Sequence, residues 1–374
     1  MIEANLPYNR RKFIAASAGT LLAFYLKPIS SFASNSTADG KVNELVSKII
    51  GIDSHNHLDV PFNAEEFNVH DYKLRAEILK SGLSAICMTF CVDRPDLLKA
   101  GEAYDRFTLS LDEMDQILAT NNIKRALNYS DIKNAHPTKT PVVIQCVEGG
   151  HFIEGKLERI EVAYKRGLRH LGLLHDNQTT PPLGDIYTDA PKYNGLTELG
   201  KNVIKECNRL GILVDLAHCS NDAIDNAIDV SSKPMIISHT GLNTQVGSNE
   251  RMAKMMMPRL ISKEQAQKFA HAGGVIGVWT HIADSPKDLA NNIRAMVDVA
   301  GIDHVCIGTD TKISFPKKET GRPERTTNQT WENISEGFLY SVVNALLKDG
   351  FKETEISKIC GKNYFNVFNL ATVI

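Results

Sequence analysis

Two histidines one residue apart, His55 and His57, follow an apolar run that ends at Asp53. Residues two apart share a face of an extended strand, so both imidazoles can turn toward one point. Five more polar groups stand directly after other short apolar runs: Glu148 before Gly149-Gly150, His175, His218, His239 and Asp310. Imidazole nitrogen and carboxylate oxygen are ligands that suit zinc. His55, His57, Glu148, His218 and His239 suffice for a two-metal site if Glu148 bridges. Two ions about 3.5–4 Å apart can share a water and lower its pKa toward neutrality. The chemistry expected is hydrolysis by a metal-bridging hydroxide. His151 reads as a loop residue, and His70, His136, His271, His281 and His304 read as surface or internally satisfied histidines.

The runs that would carry these groups recur through the chain. Eight strand candidates are Ile49–Asp53, Ser84–Phe90, Val142–Val147, Leu168–Leu174, Leu213–Leu216, Met235–Ser238, Gly274–Val278 and Val305–Gly308. Most are separated by amphipathic stretches. Glu198–Leu210 is apolar at Leu199, Val203, Ile204, Cys207 and Leu210, a helical spacing. Lys263–Ala272, Asp288–Val299, Trp331–Leu346, Glu353–Ile359 and Asn363–Leu370 also read as helices. Alternating strand and helix implies a parallel sheet with right-handed crossovers. Eight units suggest a closed (β/α)8 TIM barrel, whose active sites form at the C-terminal strand ends. Six of the eight strands place a His, Glu or Asp there. An open doubly wound sheet is the main alternative, but no glycine-rich phosphate loop follows the first strand. Lys312–Asn328, polar and turn-rich, reads as a loop after the eighth strand.

Composition sets the remaining bounds. With 43% hydrophobic and 23% charged residues in 374, the chain can fill a large core. A formal charge of -2 gives no reason to expect nucleic acid as a partner. Asn9-Arg10-Arg11-Lys12 precedes an apolar run from Phe13 to Leu26, too short to span a bilayer, and then Ser30-Ser31-Phe32-Ala33. This order resembles a twin-arginine export signal and implies the twin-arginine machinery as a partner and a periplasmic or otherwise exported location. Residues 1–33 are therefore read as signal, 34–40 as linker and 41–374 as one barrel domain. The seven scattered cysteines do not look like a disulfide framework, and without a C-x-x-C pair they are not read as a zinc site.

The order of these motifs resembles the membrane (renal-type) dipeptidase family of the metal-dependent amidohydrolase superfamily. Ile52-Asp53-Ser54-His55-Asn56-His57 is similar to the family's opening strand, and Val147-Glu148-Gly149-Gly150 to its Glu-Gly motif. Gly167-Leu168-Arg169-His170-Leu171 through His175, Gly195–Gly200, Leu210–His218, Ser238-His239-Thr240, Gly273-Gly274-Val275 and Gly301–Asp310 continue the resemblance. It implies two zinc ions, one held by His55, His57 and Glu148 and the other by Glu148, His218 and His239. It further implies that His175 stabilises the developing oxyanion and that Asp310 orients the hydroxide and carries its proton to the leaving amine. Arg259, with Arg251 as the fallback, would grip the substrate's terminal carboxylate. The resemblance is also compatible with a homodimer.

Three departures stand out. His57 occupies a position where the family usually has Asp, Thr311-Lys312-Ile313 replaces a more acidic stretch, and the loop after Arg259 lacks an asparagine. The reading is thus an exported zinc hydrolase of small dipeptides. Alternatives are an amidohydrolase of the same scaffold acting on an N-acyl amino acid, a lactone or a cell-wall fragment, and a catalytically idle binding protein.

Overall fold

The computed structural model describes residues 40–58, 72–313, 331, 334 and 336–373. Residues 1–33, read as an export signal, nearly all of the expected linker, His70 and most of the expected Lys312–Asn328 loop lie outside the described residues.

Eight parallel strands form the central sheet: β1 Ile52–His57, β2 Ala85–Cys91, β3 Val142–Glu148, β4 Leu168–Gly172, β5 Leu213–Asp215, β6 Ile236–Thr240, β7 Val275–Val278 and β8 Val305–Ile307. Each pairs with the next in chain order, and the two-residue strand Lys124–Arg125 adds to β3. Helices alternate with them, as a (β/α)8 barrel requires. They are α1 Gly40–Lys48, α2 Leu74–Ser81, α3 Glu102–Thr120, α4 Tyr129–Thr138, α5 Glu158–Lys165, α6 Glu198–Leu210, α7 Asn221–Val230, α8 Glu250–Met256, α9 Lys263–His271, α10 Pro286–Ala300, α11 Phe338–Lys348, α12 Glu353–Ser357 and α13 Asn363–Thr372. The strands are buried along nearly their whole length. That is why they read as continuous apolar runs rather than as alternations.

β8 returns beside β1, and the seam is made by the chemically interesting motif itself. Asp53 accepts hydrogen bonds from the Thr309 amide (2.9 Å) and hydroxyl (2.7 Å). The Asp310 amide donates to the His55 carbonyl at 3.0 Å, and the His57 amide to the Thr311 carbonyl at 2.8 Å. Barrel closure and the placement of His55, His57 and Asp310 are therefore one set of bonds.

All eight expected strands are present. β1 begins three residues later than the apolar run suggests, at Ile52, and continues through His57, so the His-x-His pair lies within the strand rather than beyond it. α6 has the expected bounds. The Thr197 hydroxyl caps it by accepting from Gly200 N at 3.1 Å, and Gly211 at φ 78° ends it. The helix expected from Trp331 starts only at Phe338. Gly337 before it has φ 89°, and a Cβ there would lie 2.3 Å from the Lys80 carbonyl oxygen, so the helix cannot extend back through it. Trp331 instead donates its indole N–H to the Ala283 carbonyl at 2.8 Å.

Candidate metal centre

Glu148, the last residue of β3, is the centre of the cluster. Its Oε1 lies 2.9 Å from His218 Nε2, 3.5 Å from His55 Nε2 and 3.6 Å from His239 Nε2. Its Oε2 lies 3.3 Å from His175 Nε2 and 3.7 Å from His57 Nε2, and reaches no hydrogen-bond partner although it is buried. Two pairs of imidazoles meet nitrogen to nitrogen: His55 and His57 at 3.1 Å, and His218 and His239 also at 3.1 Å. The sequence-expected ligands are thus brought together. Asp310 joins them, with Oδ1 2.9 Å from His57 Nε2.

The far ring nitrogens are held from behind. The Ser238 hydroxyl contacts His55 Nδ1 at 3.2 Å and His239 Nδ1 at 2.9 Å. His218 Nδ1 lies 3.1 Å from Asp176 Oδ1 and 2.8 Å from the Tyr187 hydroxyl. A ring that donates Nδ1–H to a carboxylate presents a lone pair at Nε2. Two such lone pairs 3.1 Å apart repel each other unless a cation lies between them. Zinc bonds imidazole at about 2.0–2.1 Å, which places neighbouring ligand nitrogens about 3.0–3.5 Å apart. The donor set, the nitrogen spacing and the orphaned Glu148 oxygen all fit a metal centre.

The electrostatics agree. Burial alone would raise the Glu148 carboxyl, but His175, His55 and His218 outweigh it and hold it well below the usual range. Burial also opposes ionisation of Asp310, yet His281, His239 and His57 keep it well below the ordinary value. His218 loses by burial and gains more from Glu148 and Asp176, which push it up to about 10. Burial, reinforced by His239, drives His55 well below its usual range.

Two contributors were not legible in the sequence, and a third, Asp176 beside His175 at the end of the fourth strand, carries no role there. Asp93, two residues past β2, accepts from His175 Nδ1 at 2.7 Å and fixes that ring. His281, past β7 and read as a structural histidine, approaches Asp310 Oδ2 at 3.5 Å and the Asp310 carbonyl at 2.9 Å. Strands two and seven, which carried no polar group at their expected ends, supply these residues from just beyond. Asp176 binds Arg259 Nη2 at 3.0 Å as well as His218, and also pairs with Arg94. Arg259 therefore stands at the rim of the cluster, tied to a carboxylate, whereas Arg251 is exposed on α8. His151 lies in a short 3-10 turn with Nε2 on the Asn177 carbonyl at 2.9 Å, outside the nitrogen cluster. A cavity of about 440 Å³ opens beside His218 and His239, lined among others by Tyr187, Arg259, Ile261 and Trp279.

The sequence profile of the membrane dipeptidase family, peptidase family M19, matches residues 40–373. The chain belongs to this family. Over 258 residues it is 26% identical to the dipeptidase tcpJ of Claviceps purpurea, covering 67% of this chain and 56% of that protein. The alignment thus spans little more than half of that relative's length. Among solved structures, this member of the family resembles the probable dipeptidase PvdM of Pseudomonas aeruginosa at a TM-score of 0.72 and 16% identity, covering 89% of this chain and 98% of the other. A metallopeptidase of Rhodobacter sphaeroides, liganded with a phosphinate mimic of L-Ala-D-Ala, superposes at a TM-score of 0.66 and 16% identity, covering 86% and 99%. These likenesses confirm the barrel, and the profile places the chain in peptidase family M19.

Proposed function

We propose that the protein is an exported, zinc-dependent dipeptidase with two ions per chain. The observation that carries this reading is the convergence of four imidazole Nε2 atoms on one buried carboxylate with an orphaned oxygen. His55, His57 and Glu148 would hold one ion, and Glu148, His218 and His239 the other. The ions would supply Lewis-acid polarisation of the substrate carbonyl and of a water.

The chain's own groups do the rest. Asp310 orients the attacking water, takes its proton at a carboxylate oxygen and delivers it to the departing amine. Asp93 holds the His175 ring at Nδ1, so that its Nε2 faces the place where the oxyanion would develop. Arg259 offers a guanidinium to the terminal carboxylate of a small dipeptide. The basic segment and apolar run at the N-terminus support export by the twin-arginine route.

One observation favours a second reading. Arg259 is already paired with Asp176, so a substrate carboxylate must share or displace that partner. An amidohydrolase acting on a substrate without that carboxylate, such as a lactone, would not need that exchange. The test is metal analysis of the purified protein together with amino-acid release from matched L,L and L,D dipeptides and their C-terminal amides. At least two zinc ions per chain and faster cleavage of the free acids are expected. No release from any dipeptide at full metal loading would refute the primary reading, and faster turnover of the amides would establish the second.

A further inference from the structure

Beneath the histidine–glutamate cluster the barrel interior holds a second convergence of metal-competent groups. Cys87 of β2, Cys146 of β3 and His170 of β4 place two sulfurs and a ring nitrogen within 4.8 Å of one another. All three residues are buried, and both cysteines are free thiols. Cys146 lies two residues before Glu148 on the same face of β3, hence about 6–7 Å deeper in the barrel. His170 Nδ1 is 3.1 Å from the Tyr364 hydroxyl of α13, and that hydroxyl also neighbours Cys87. His170 Nε2 lies 3.3 Å from Asp215 Oδ2 but is too poorly aligned for a hydrogen bond, and stands without a partner.

Buried cysteines often pack as small apolar groups, and an imidazolium–carboxylate pair would account for His170 with Asp215. Neither account explains why two thiols from neighbouring strands lie within 4.8 Å of that one imidazole, although the Cys146 thiol also reaches the Ile144 carbonyl at 3.6 Å.

We propose that Cys87, Cys146 and His170 form a structural site for one thiophilic ion of the zinc class, distinct from the catalytic cluster. Zinc binds thiolate at about 2.3 Å and imidazole at about 2.0–2.1 Å, so its ligand atoms sit about 3.5–4 Å apart, within reach of the observed spacing. With Nε2 turned to the ion, the other ring nitrogen, Nδ1, is held from behind by the Tyr364 hydroxyl, and Asp215 lies beside Nε2 at 3.3 Å. Binding releases both thiol protons to solvent. Burial pushes the Cys87 thiol well above its ordinary range, so the thiolate forms only together with the ion. Because the site is enclosed, the ion enters during folding and then ties β2, β3 and β4 together. The absence of a C-x-x-C spacing follows from the topology, since the two thiols come from different strands.

The full chain, produced once with zinc and once with cobalt(II), tests this. X-ray absorption fine structure of the unmodified zinc protein should require a sulfur shell at about 2.3 Å. The cobalt form should show a thiolate-to-cobalt charge-transfer band in the near ultraviolet. The catalytic cluster, with nitrogen and oxygen donors, produces neither signal. Cys87→Ser or Cys146→Ser should abolish both signals and lose one ion per chain. Cys91→Ser, which alters the thiol beside Asp93 and His175, should retain them. No sulfur shell in the unmodified protein, or its disappearance in Cys91→Ser, overturns the proposal. Since the first measurement needs no variant, a serine variant that fails to fold does not remove the test.

Discussion

Asp310 and His218 both sit in the left-handed region, at φ 54° and 67°. A side chain with a Cβ pays on the order of 1–3 kcal/mol to stay there, and such residues persist where the surroundings over-determine them. For Asp310 the surroundings are the His55 carbonyl on its amide and the His281 ring on its carbonyl. The strain aims the carboxylate at His57 and, in the proposed reaction, at the water and the leaving amine. Asparagine tolerates the same backbone region, so Asp310→Asn keeps the shape and removes the proton carrier. The expected outcome is a fall in kcat of roughly 10²–10⁴-fold with bound metal unchanged. Steady-state kinetics beside metal analysis check it. A parallel loss of metal would make Asp310 a ligand with His55 and His57 rather than the proton carrier.

At the scale of elements, the centre depends on how closely β1, β6, β7 and β8 approach inside the barrel. The Ser54 hydroxyl donates to the Ser238 carbonyl at 2.8 Å, and the Ser238 side chain holds both the His55 and the His239 rings. A Cβ at Gly308 would lie 1.8 Å from the Ser238 carbonyl oxygen and 2.6 Å from Ser54 Oγ. Gly308→Ala must therefore displace β6 where it presents His239. It should destabilise the protein by at least the ~1–3 kcal/mol typical of overpacking and weaken metal retention. Gly40→Ala, at an open position, should do neither. Urea unfolding and metal content after dialysis compare the two, and equal behaviour would show that Ser238 does not govern the ligands. The same elements show what the sequence could reveal. Every strand could be read because a strand buried on both faces must be an apolar run, and the residues directly at strand ends followed from that. Asp93 and His281 could not be read so. Each stands beyond its strand in a loop, and its role exists only through a contact with a residue distant in the chain. The periodicity carries Trp331 into a helix, whereas the helix breaks at Gly337, whose φ of 89° and lack of room for a Cβ beside the Lys80 carbonyl are set by tertiary structure.

For the whole molecule, the barrel interior must hold charge as well as apolar packing, and that makes stability depend on pH. His170 and Asp215 form a buried pair between the catalytic cluster and α13. Burial disfavours the His170 cation, but Asp215 and Cys87 outweigh it and push its pKa up to about 9, while burial of Asp215 is outweighed by His170 and its pKa falls. Asp215 stays ionised throughout the neutral range. Its Oδ1 accepts from the Ala217 amide at 3.0 Å and the Ser238 amide at 2.9 Å, just ahead of His218 and His239. A histidine raised above its unfolded value of about 6.5 binds its proton more tightly in the folded state. Its contribution is complete below pH of about 6.5 and is lost as the pH rises through about 9, for a total on the order of 3 kcal/mol. His218, pushed up to about 10, titrates over much of the same window and adds to the slope. In protein refolded without metal, where His170 can hold a proton in place of an ion, the free energy of unfolding should therefore fall steadily from pH about 6.5 to above 9. His170→Leu should start less stable at low pH, because Asp215 is left buried without its counter-ion, and should show a visibly shallower decline. Urea denaturation across that range measures both, and an unchanged slope in the variant would mean that His170 is neutral in the folded barrel.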